Sequence, residues 1–388
     1  MINVALVGMG NISRMHLEGY GKVSGRCKIT ALADIDPAHA EVRKKEFPIL
    51  GDAKIYASHR DMLAESAVDM VDICTPPFCH AEIAIDSLNS GRHVLVEKPM
   101  AASLEECDAM IAAAEKSGVI LSVIAQNRFR NEVYNLKKTL DTGKIGKIVH
   151  AQVDSFWWRG HSYYDLWWRG IWEKEGGGCT LNHAVHHIDM LGWMMGLPGE
   201  VCAIISNTAH NNAEVEDVSV AVMRYPGSEN TAKGALAQVT SSVVHHGEEQ
   251  QVIFQGEKAR ISFPWRVASQ LAQPNGFPAK EQNEALIRDL DDFYHGLPAL
   301  PYNGHTAQID NVLTAIETGG KPLIGGRDGR LTIEIITAIY KAGIEKRAVE
   351  LPLSKDDIFY TFAGILRNAP RFYRKTSSVK DLAGEIKT

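Results

Sequence analysis

The chain has 388 residues, 45% of them hydrophobic and 23% charged, with a formal net charge of −6. That length accommodates two domains with separate cores, and the composition is that of a globular protein. The acidic balance excludes a general polyanion-binding surface, and no apolar run approaches the ~20 residues that cross a bilayer, so neither a nucleic acid nor a membrane is expected as a partner.

The first elements alternate strand and helix. Ile2–Val7 reads as a buried strand and runs into Gly8-Met9-Gly10-Asn11-Ile12-Ser13, a glycine-rich turn that opens a helix. Ile29–Ala33, Met70–Cys74, His93–Val96 and Ile120–Ala125 read as further strands. Ala81–Ser90 and Leu104–Ser117 read as helices between them. This alternation specifies a doubly wound parallel sheet covered on both faces. After Gly143-Lys-Ile-Gly-Lys-Ile148 the pattern changes. Val149–Phe156, Val201–Thr208, Val218–Tyr225, Gly234–Val244 and Gln251–Phe254 read as strands of a large open, mostly antiparallel sheet. Helices are expected over Asn182–Met195, Ala307–Thr318 and Leu331–Ala342, and the last ten or so residues are polar and expected to be loosely ordered. The expected fold is therefore α/β, with a first domain over 1–125 and a second over 126–388. Cys27, Cys74, Cys79, Cys107, Cys179 and Cys202 form no CxxC pair, and the N-terminus lacks the pattern of a signal peptide. A reduced, cytoplasmic protein is expected.

The turn carries the first chemistry. Gly8 permits a tight reversal, and Gly10 lets a pyrophosphate approach the backbone at a helix N-terminus. Ser13 replaces the third glycine with another small residue. Asp34 ends the second apolar run 26 residues after Gly8, where its carboxylate can accept from the adenosine ribose hydroxyls and repel a 2′-phosphate. That favours NAD over NADP; the alternative is that Asp34 or Asp36 caps the next helix. Glu97-Lys98-Pro99 follows the strand Val94-Leu95-Val96 and sits at the carboxyl edge of the sheet, where open parallel sheets bind ligands. Lys98 can there pass a proton to or from a substrate hydroxyl; a structural Lys98–Glu97 pair is the bland alternative.

Downstream, Trp157-Trp158-Arg159 and Tyr163-Tyr164-Asp165-Leu166-Trp167-Trp168-Arg169 concentrate aromatic and charged groups. Flat rings suit the apolar faces of sugars and Arg159 suits their hydroxyls, so Arg159 and Tyr164 are candidate substrate contacts, with ordinary core packing as the alternative for part of the run. Gly176-Gly177-Gly178 leads into Asn182-His183-Ala184-Val185-His186-His187-Ile188-Asp189. On one continuous helix Asn182, His186, Asp189 and Trp193 share a face, with His183 and His187 at its flanks. Histidine suits removal of a hydroxyl proton, since its pKa lies near neutrality, and Asp189 could orient His186. His183 could touch substrate or be structural. The histidine cluster could instead hold a metal, but the dinucleotide motifs weigh against it and no metal is expected. Gln126-Asn127-Arg128 is expected to line the same cleft, and His245-His246 to lie on a strand of the second domain.

Together the glycine turn, Glu97-Lys98-Pro99 and the Gly-rich run before Asn182–Asp189 resemble the glucose–fructose oxidoreductase / inositol dehydrogenase (Gfo/Idh/MocA) family, from Ile2 to about Leu353. The resemblance implies a Rossmann domain binding NAD through Gly8, Met9, Gly10, Asn11, Ile12, Asp34, Thr75, Pro76, His80, Glu97, Lys98, Asn127, Trp168 and Arg169. It implies Lys98, His186 and Asn182 as the catalytic residues, His186 as the base, and Lys98, Arg159, Tyr164, Asn182, His183 and His186 as substrate contacts. Inositol dehydrogenase-like members carry Asp where this chain has Asn182, and an amide can hold a hydroxyl but cannot relay its proton. The implied reaction is reversible oxidation of a secondary ring hydroxyl of a sugar, glycoside or cyclitol by a homodimer or homotetramer. A dihydrodiol dehydrogenase, or a non-catalytic cofactor-binding regulator, are the alternatives on the same fold.

Overall fold

In the computed structural model, which describes residues 1–380, two sheets share one molecule. The first is built from β1 (Ile2–Val7), β2 (Cys27–Ala33), β3 (Lys54–Tyr56), β4 (Met70–Ile73), β5 (His93–Val96) and β6 (Leu121–Val123). Their order is β3-β2-β1-β4-β5-β6 and every pair is parallel. The strand order reverses between β1 and β4, which opens a crevice at their carboxyl ends. β1, β4 and β5 are apolar almost throughout because helices cover both faces. The edge strand β3 is only three residues long and has no legible alternation in the sequence.

The second sheet takes β7 (Ile148–Phe156), β8 (Glu200–Ser206), β9 (Val218–Arg224), β10 (Thr231–Ser242), β11 (Gln250–Gly256), β12 (Arg260–Phe263) and β13 (Arg266–Ala268). β14 (Gln270–Ala272) and β15 (Pro278–Gln282) form a separate hairpin, and β16 (Val349–Glu350) joins the large sheet at its edge. The order is β13-β12-β11-β7-β10-β9-β8-β16, antiparallel everywhere except the β7–β10 pair. Its inner face, with Val153, Val239, Met223 and Val252, packs under the helices Val185–Met195 and Gly326–Glu345. Its outer face leaves Ile204 75%, Val220 46% and Val222 47% exposed. Among the described residues no helix is long and apolar enough to cross a membrane.

Several expectations shift. The strand expected to reach Thr208 stops at Ser206, because Asn207 turns its Nδ2 onto the carbonyls of His210, Ala213 and Val215. His245 and His246 fall just beyond β10, where His245 stacks on Phe156. The helix Gly304–Thr318, beyond the expected division after residue 125, lies against the helix Ser13–Lys22, with Ile309 over Gly19. The first two of the polar terminal residues, Val379 and Lys380, are held by bonds described below, and residues 381–388 lie outside the described part.

The expected helix over Asn182–Met195 is broken. A short turn, Cys179–Asn182, ends where the amides of His183 and Ala184 both donate to the Cys179 carbonyl, at 3.0 and 2.9 Å. A new helix then starts at Val185. Asn182 and His186 therefore do not share one continuous helical face.

Candidate active site

The glycine turn is fixed by backbone geometry. Gly8 has φ +93°, and a Cβ there would stand 2.8 Å from the Cys74 carbonyl carbon. A Cβ on Gly10 would meet nothing within 4 Å, so its face is open to a ligand. Ser13, at the third fingerprint position, is buried and donates to Gly10 O at 2.6 Å, closing the turn. The helix that follows has no side-chain cap at Ile12, and the positive end of its dipole faces the turn, as an anion site requires. Asn11 is exposed beside Gly10, and Met9 is buried beneath.

Asp34 lies directly beside this turn. Its Oδ2 accepts from Met9 N at 2.7 Å and its Oδ1 from Asp36 N at 2.8 Å. The helix after it is capped by Asp36, through Ala38 N, and not by Asp34. Thr75 and Pro76 stand at the opposite lip, after β4, and the Thr75 hydroxyl is buried without a partner among the described residues. His80 ties that lip to the lysine loop: its ring nitrogens face Thr75 O and Pro99 O, each at 2.8 Å. Burial lowers its pKa, and a neutral ring carries a single N–H for the two carbonyls.

Glu97 is expected beside the cofactor, but both its oxygens are engaged inward. Oε1 faces His16 Nε2 at 2.9 Å and His305 Nε2 at 3.3 Å, while Oε2 accepts from the Lys98 backbone N–H at 3.1 Å. Burial would raise its pKa, but the bonds from His16 and His305 outweigh this and hold it well below the usual range. His16 in turn faces Asp72 through Nδ1 at 2.7 Å, and Tyr20 donates to the same carboxylate oxygen. Burial acts to lower the pKa of His16, but Asp72 dominates and holds it well above the usual value, as an imidazolium between two carboxylates. Glu97 thus fixes the Lys98 backbone and not its ammonium. His16, Asp72 and His305 have no signal in the sequence, because only the folded sheet brings them together.

Lys98 and His186 meet across the domain junction, on the lining of one cavity with Asn127, Val185 and Thr332. Neither the Lys98 Nζ nor a ring nitrogen of His186 has a hydrogen-bond partner among the described residues. Burial lowers the Lys98 pKa, with Glu97 opposing and Arg169 reinforcing. Burial and the nearby Lys98 push His186 well below its ordinary value, so it is neutral at pH 7. Asn182 donates Nδ2 to Gly177 O at 3.0 Å. Its Oδ1 accepts no bond among the described residues. The glycine run beneath is braced by Glu216, which accepts from Gly178 N and Thr180 N at 3.0 Å each. Tyr340 OH donates to the same carboxylate, whose pKa burial raises to about 7.

The aromatic segment divides. Trp168 and Tyr163 flank the Arg169 guanidinium, each ring centre 4.2 Å from it, and Arg169 donates to Glu175 at 3.0 Å. The Arg169 Nε and His183 Nδ1 are buried without hydrogen-bond partners among the described residues, as is Gln126 Oε1. Burial, then Arg159 and Arg169, press the His183 pKa well down. Arg159 lies over the Trp157 and Tyr163 rings and bonds Glu248. These unpaired polar atoms and the open glycine cradle fit a bound dinucleotide with a polar substrate beside it.

Three expectations are corrected. Tyr164 is 1% exposed and packs edge-on against Tyr163 and His210 in the core; it is Tyr163 OH that meets His183 Nε2, at 3.3 Å. Asp189 does not orient His186, because the Arg128 fork takes both its oxygens, at 2.8 and 2.7 Å. Arg128 accordingly turns into the core between the domains, where it also reaches Asp328. His187 points to the sheet, bonded to Ser155 Oγ at 2.9 Å, and burial lowers its pKa to about 4.

Residues 2–125 match an oxidoreductase family with an NAD-binding Rossmann fold, and residues 133–262 match the GFO/IDH/MocA C-terminal domain. The chain is 24% identical to the myo-inositol 2-dehydrogenase of Thermotoga maritima, over 90% of this chain and 98% of that protein. It is 24% identical to the levoglucosan dehydrogenase of Pseudarthrobacter phenanthrenivorans, with the same two shares. The WlbA dehydrogenase from Bordetella pertussis, solved in complex with NADH and UDP-GlcNAcA, has a TM-score of 0.77 and 29% identity, covering 91% of this chain and 98% of that one. With both halves of the family found in order and the dinucleotide cradle built as the motifs require, the chain belongs to the GFO/IDH/MocA family of NAD-dependent oxidoreductases.

Proposed function

We propose that the protein oxidises a secondary ring hydroxyl of a sugar, glycoside or cyclitol to the ketone, reversibly, with NAD as the hydride acceptor. The observation that carries this reading is the convergence of Lys98 and His186, from different domains, on one cavity, with no hydrogen-bond partner of their own among the described residues. When bound, the nicotinamide takes up the hydride from the carbinol carbon. His186, neutral at pH 7, takes the hydroxyl proton as hydride leaves. Lys98 donates to the same oxygen and stabilises negative charge on it. Asn182, with its Oδ1 free, holds a neighbouring hydroxyl, and Arg159, Tyr163 and His183 read the rest of the ring. Asp34 receives the adenosine ribose.

The apolar strip of Ile204, Val220 and Val222 on the outer sheet face supports a homodimer or homotetramer closed through that face. Six free cysteines, four of them buried, fit a reducing cytoplasm. A screen of sugars, glycosides, cyclitols and cyclic diols with NAD, read by absorbance at 340 nm, tests the reading. Turnover of a pyranose or cyclitol is expected. Turnover confined to aromatic dihydrodiols would replace the substrate class, and binding of NADH without turnover of any alcohol would favour a regulator.

A further inference from the structure

Residues 370–380 belong to neither sheet, and their one ladder contact is an isolated bridge between Leu166 and Val379. They are nevertheless tied down along their length. Trp172 Nε1 donates to Pro370 O at 2.7 Å, and Phe372 N donates to Glu214 O at 3.1 Å. Asn212, buried in the loop between β8 and β9, accepts from Thr376 N and Ser377 N at 2.7 and 3.0 Å and donates back to Ser377 O at 3.1 Å. Val379 N donates to Asp165 O, and Trp167 N donates to Val379 O.

The segment so held, residues 159–172, is the one that brings Arg159, Tyr163, Trp168 and Arg169 to the cleft. The far end of the strand of chain crosses to the other domain. Lys380 Nζ pairs with Asp36 Oδ2 at 3.0 Å, two residues beyond Asp34. Trp167, whose N–H bonds Val379, packs edge-on against Phe78, with ring centres 6.2 Å apart, in the turn that follows Thr75 and Pro76.

We propose that residues 371–380 are a strap across the mouth of the dinucleotide cleft, which pins the aromatic segment over the nicotinamide end, ties it at Asp36 to the adenosine end, and must lift before NAD(H) leaves. The proposal rests on the cleft's being the dinucleotide site. A segment with no regular secondary structure, held by a short run of hydrogen bonds, opens locally without unfolding the domains. The Lys380–Asp36 pair is exposed on both sides and contributes little alone, so most of the hold comes from Asn212 and the backbone bonds.

The test is the rate of NADH release, read by stopped-flow fluorescence on four proteins: the full chain, a chain ending at Lys380, a chain ending at Pro370, and full-length Lys380→Glu. The chain ending at Pro370 is expected to release NADH roughly tenfold faster or more, since changes within one binding site fall mainly on the off-rate. Lys380→Glu is expected to accelerate release about two- to fivefold, on the scale of an exposed ion pair. The chain ending at Lys380 should match the full chain. Bound NADH should also slow tryptic cleavage at Arg371 and Arg374 in the full chain. If the chain ending at Pro370 does not fold, full-length Asn212→Ala replaces it, with the same acceleration expected. Release unchanged by loss of the strap, or equally fast from the chain ending at Lys380, would overturn the proposal while leaving the dinucleotide site intact. Failure of the full chain to bind NADH would instead remove the dinucleotide reading, and the strap with it.

Discussion

The two glycines of the first turn are expected to respond differently to the same added methyl group. At Gly8 an alanine Cβ must occupy φ +93°, which costs about 1–2 kcal/mol for an L residue. It must also displace the Cys74 carbonyl and the Thr75 Cγ2, which lie 2.8–2.9 Å away, and overpacking against backbone adds about 1–3 kcal/mol. Gly8→Ala should therefore destabilise the free protein by roughly 2–5 kcal/mol, a fall in melting temperature on the order of 5–15 °C for a domain of this size. At Gly10 the same atom meets nothing within 4 Å and the backbone is not in the left-handed region, so the free protein should change by less than about 0.5 kcal/mol. The space it fills is where the pyrophosphate approaches. Loss of one charge-assisted backbone bond, about 1.5–3 kcal/mol, should raise the Kd for NADH roughly ten- to a hundredfold. Calorimetric melting of the free proteins and fluorescence titration with NADH give both numbers. If Gly10→Ala melts like the parent and binds NADH with the parent's affinity, the pyrophosphate does not lie against this turn.

Isothermal titration should show NADH binding at least tenfold tighter than NADPH, because a 2′-phosphate would meet the Asp34 carboxylate; Asp34→Ala should narrow the gap, and equal affinities in the parent would remove Asp34 from the ribose. Lys98→Met and His186→Ala should each lower turnover by ~10²-fold or more, the scale of a general acid or base. The His186 pKa is pressed well below 6.5 by burial and by Lys98, so the acidic limb of the parent's pH profile should lie well below pH 6.5, be absent in His186→Ala, and move to higher pH in the residual activity of Lys98→Met. An unmoved limb in both variants would place the base elsewhere. His187 is buried neutral with its pKa lowered to about 4, so it binds its proton first in the unfolded chain. Its contribution to stability, of order 3 kcal/mol, is complete above pH ~6.5 and is lost as pH falls from there to ~4. His187→Gln, which keeps a bond to Ser155, should show a shallower fall in melting temperature over that window, and a parallel fall would show that His187 does not drive it.

Local rules determined a good part of this protein. The runs Ile2–Val7 and Met70–Ile73 are apolar because helices cover both faces of a parallel sheet, so their strand character and the class of the first domain stood in the order of residues. The turn at Gly8 and Gly10 and the place of Asp34 just after β2 were legible for the same reason: a backbone turn and the residue closing the next strand are set by neighbours in sequence. The place of Lys98 just beyond β5 was legible because it follows an apolar run and precedes a proline. What depends on distant partners was not. Continuous helical spacing put Asn182 on the face of His186, but the helix breaks at His183; Asp189 does share a helix with His186, but the Arg128 guanidinium, 61 residues away, claims its carboxylate. The choice between Tyr163 and Tyr164 turned on which ring the short helical turn His161–Asp165 drives into the core. Glu97 reads as a cofactor contact until the helices Ser13–Lys22 and Gly304–Thr318 bring His16 and His305 onto it. In each case the tertiary structure decided, because a buried carboxylate must find partners and a buried ring must find a packed site, and both come from elements that only the packed sheets bring within reach.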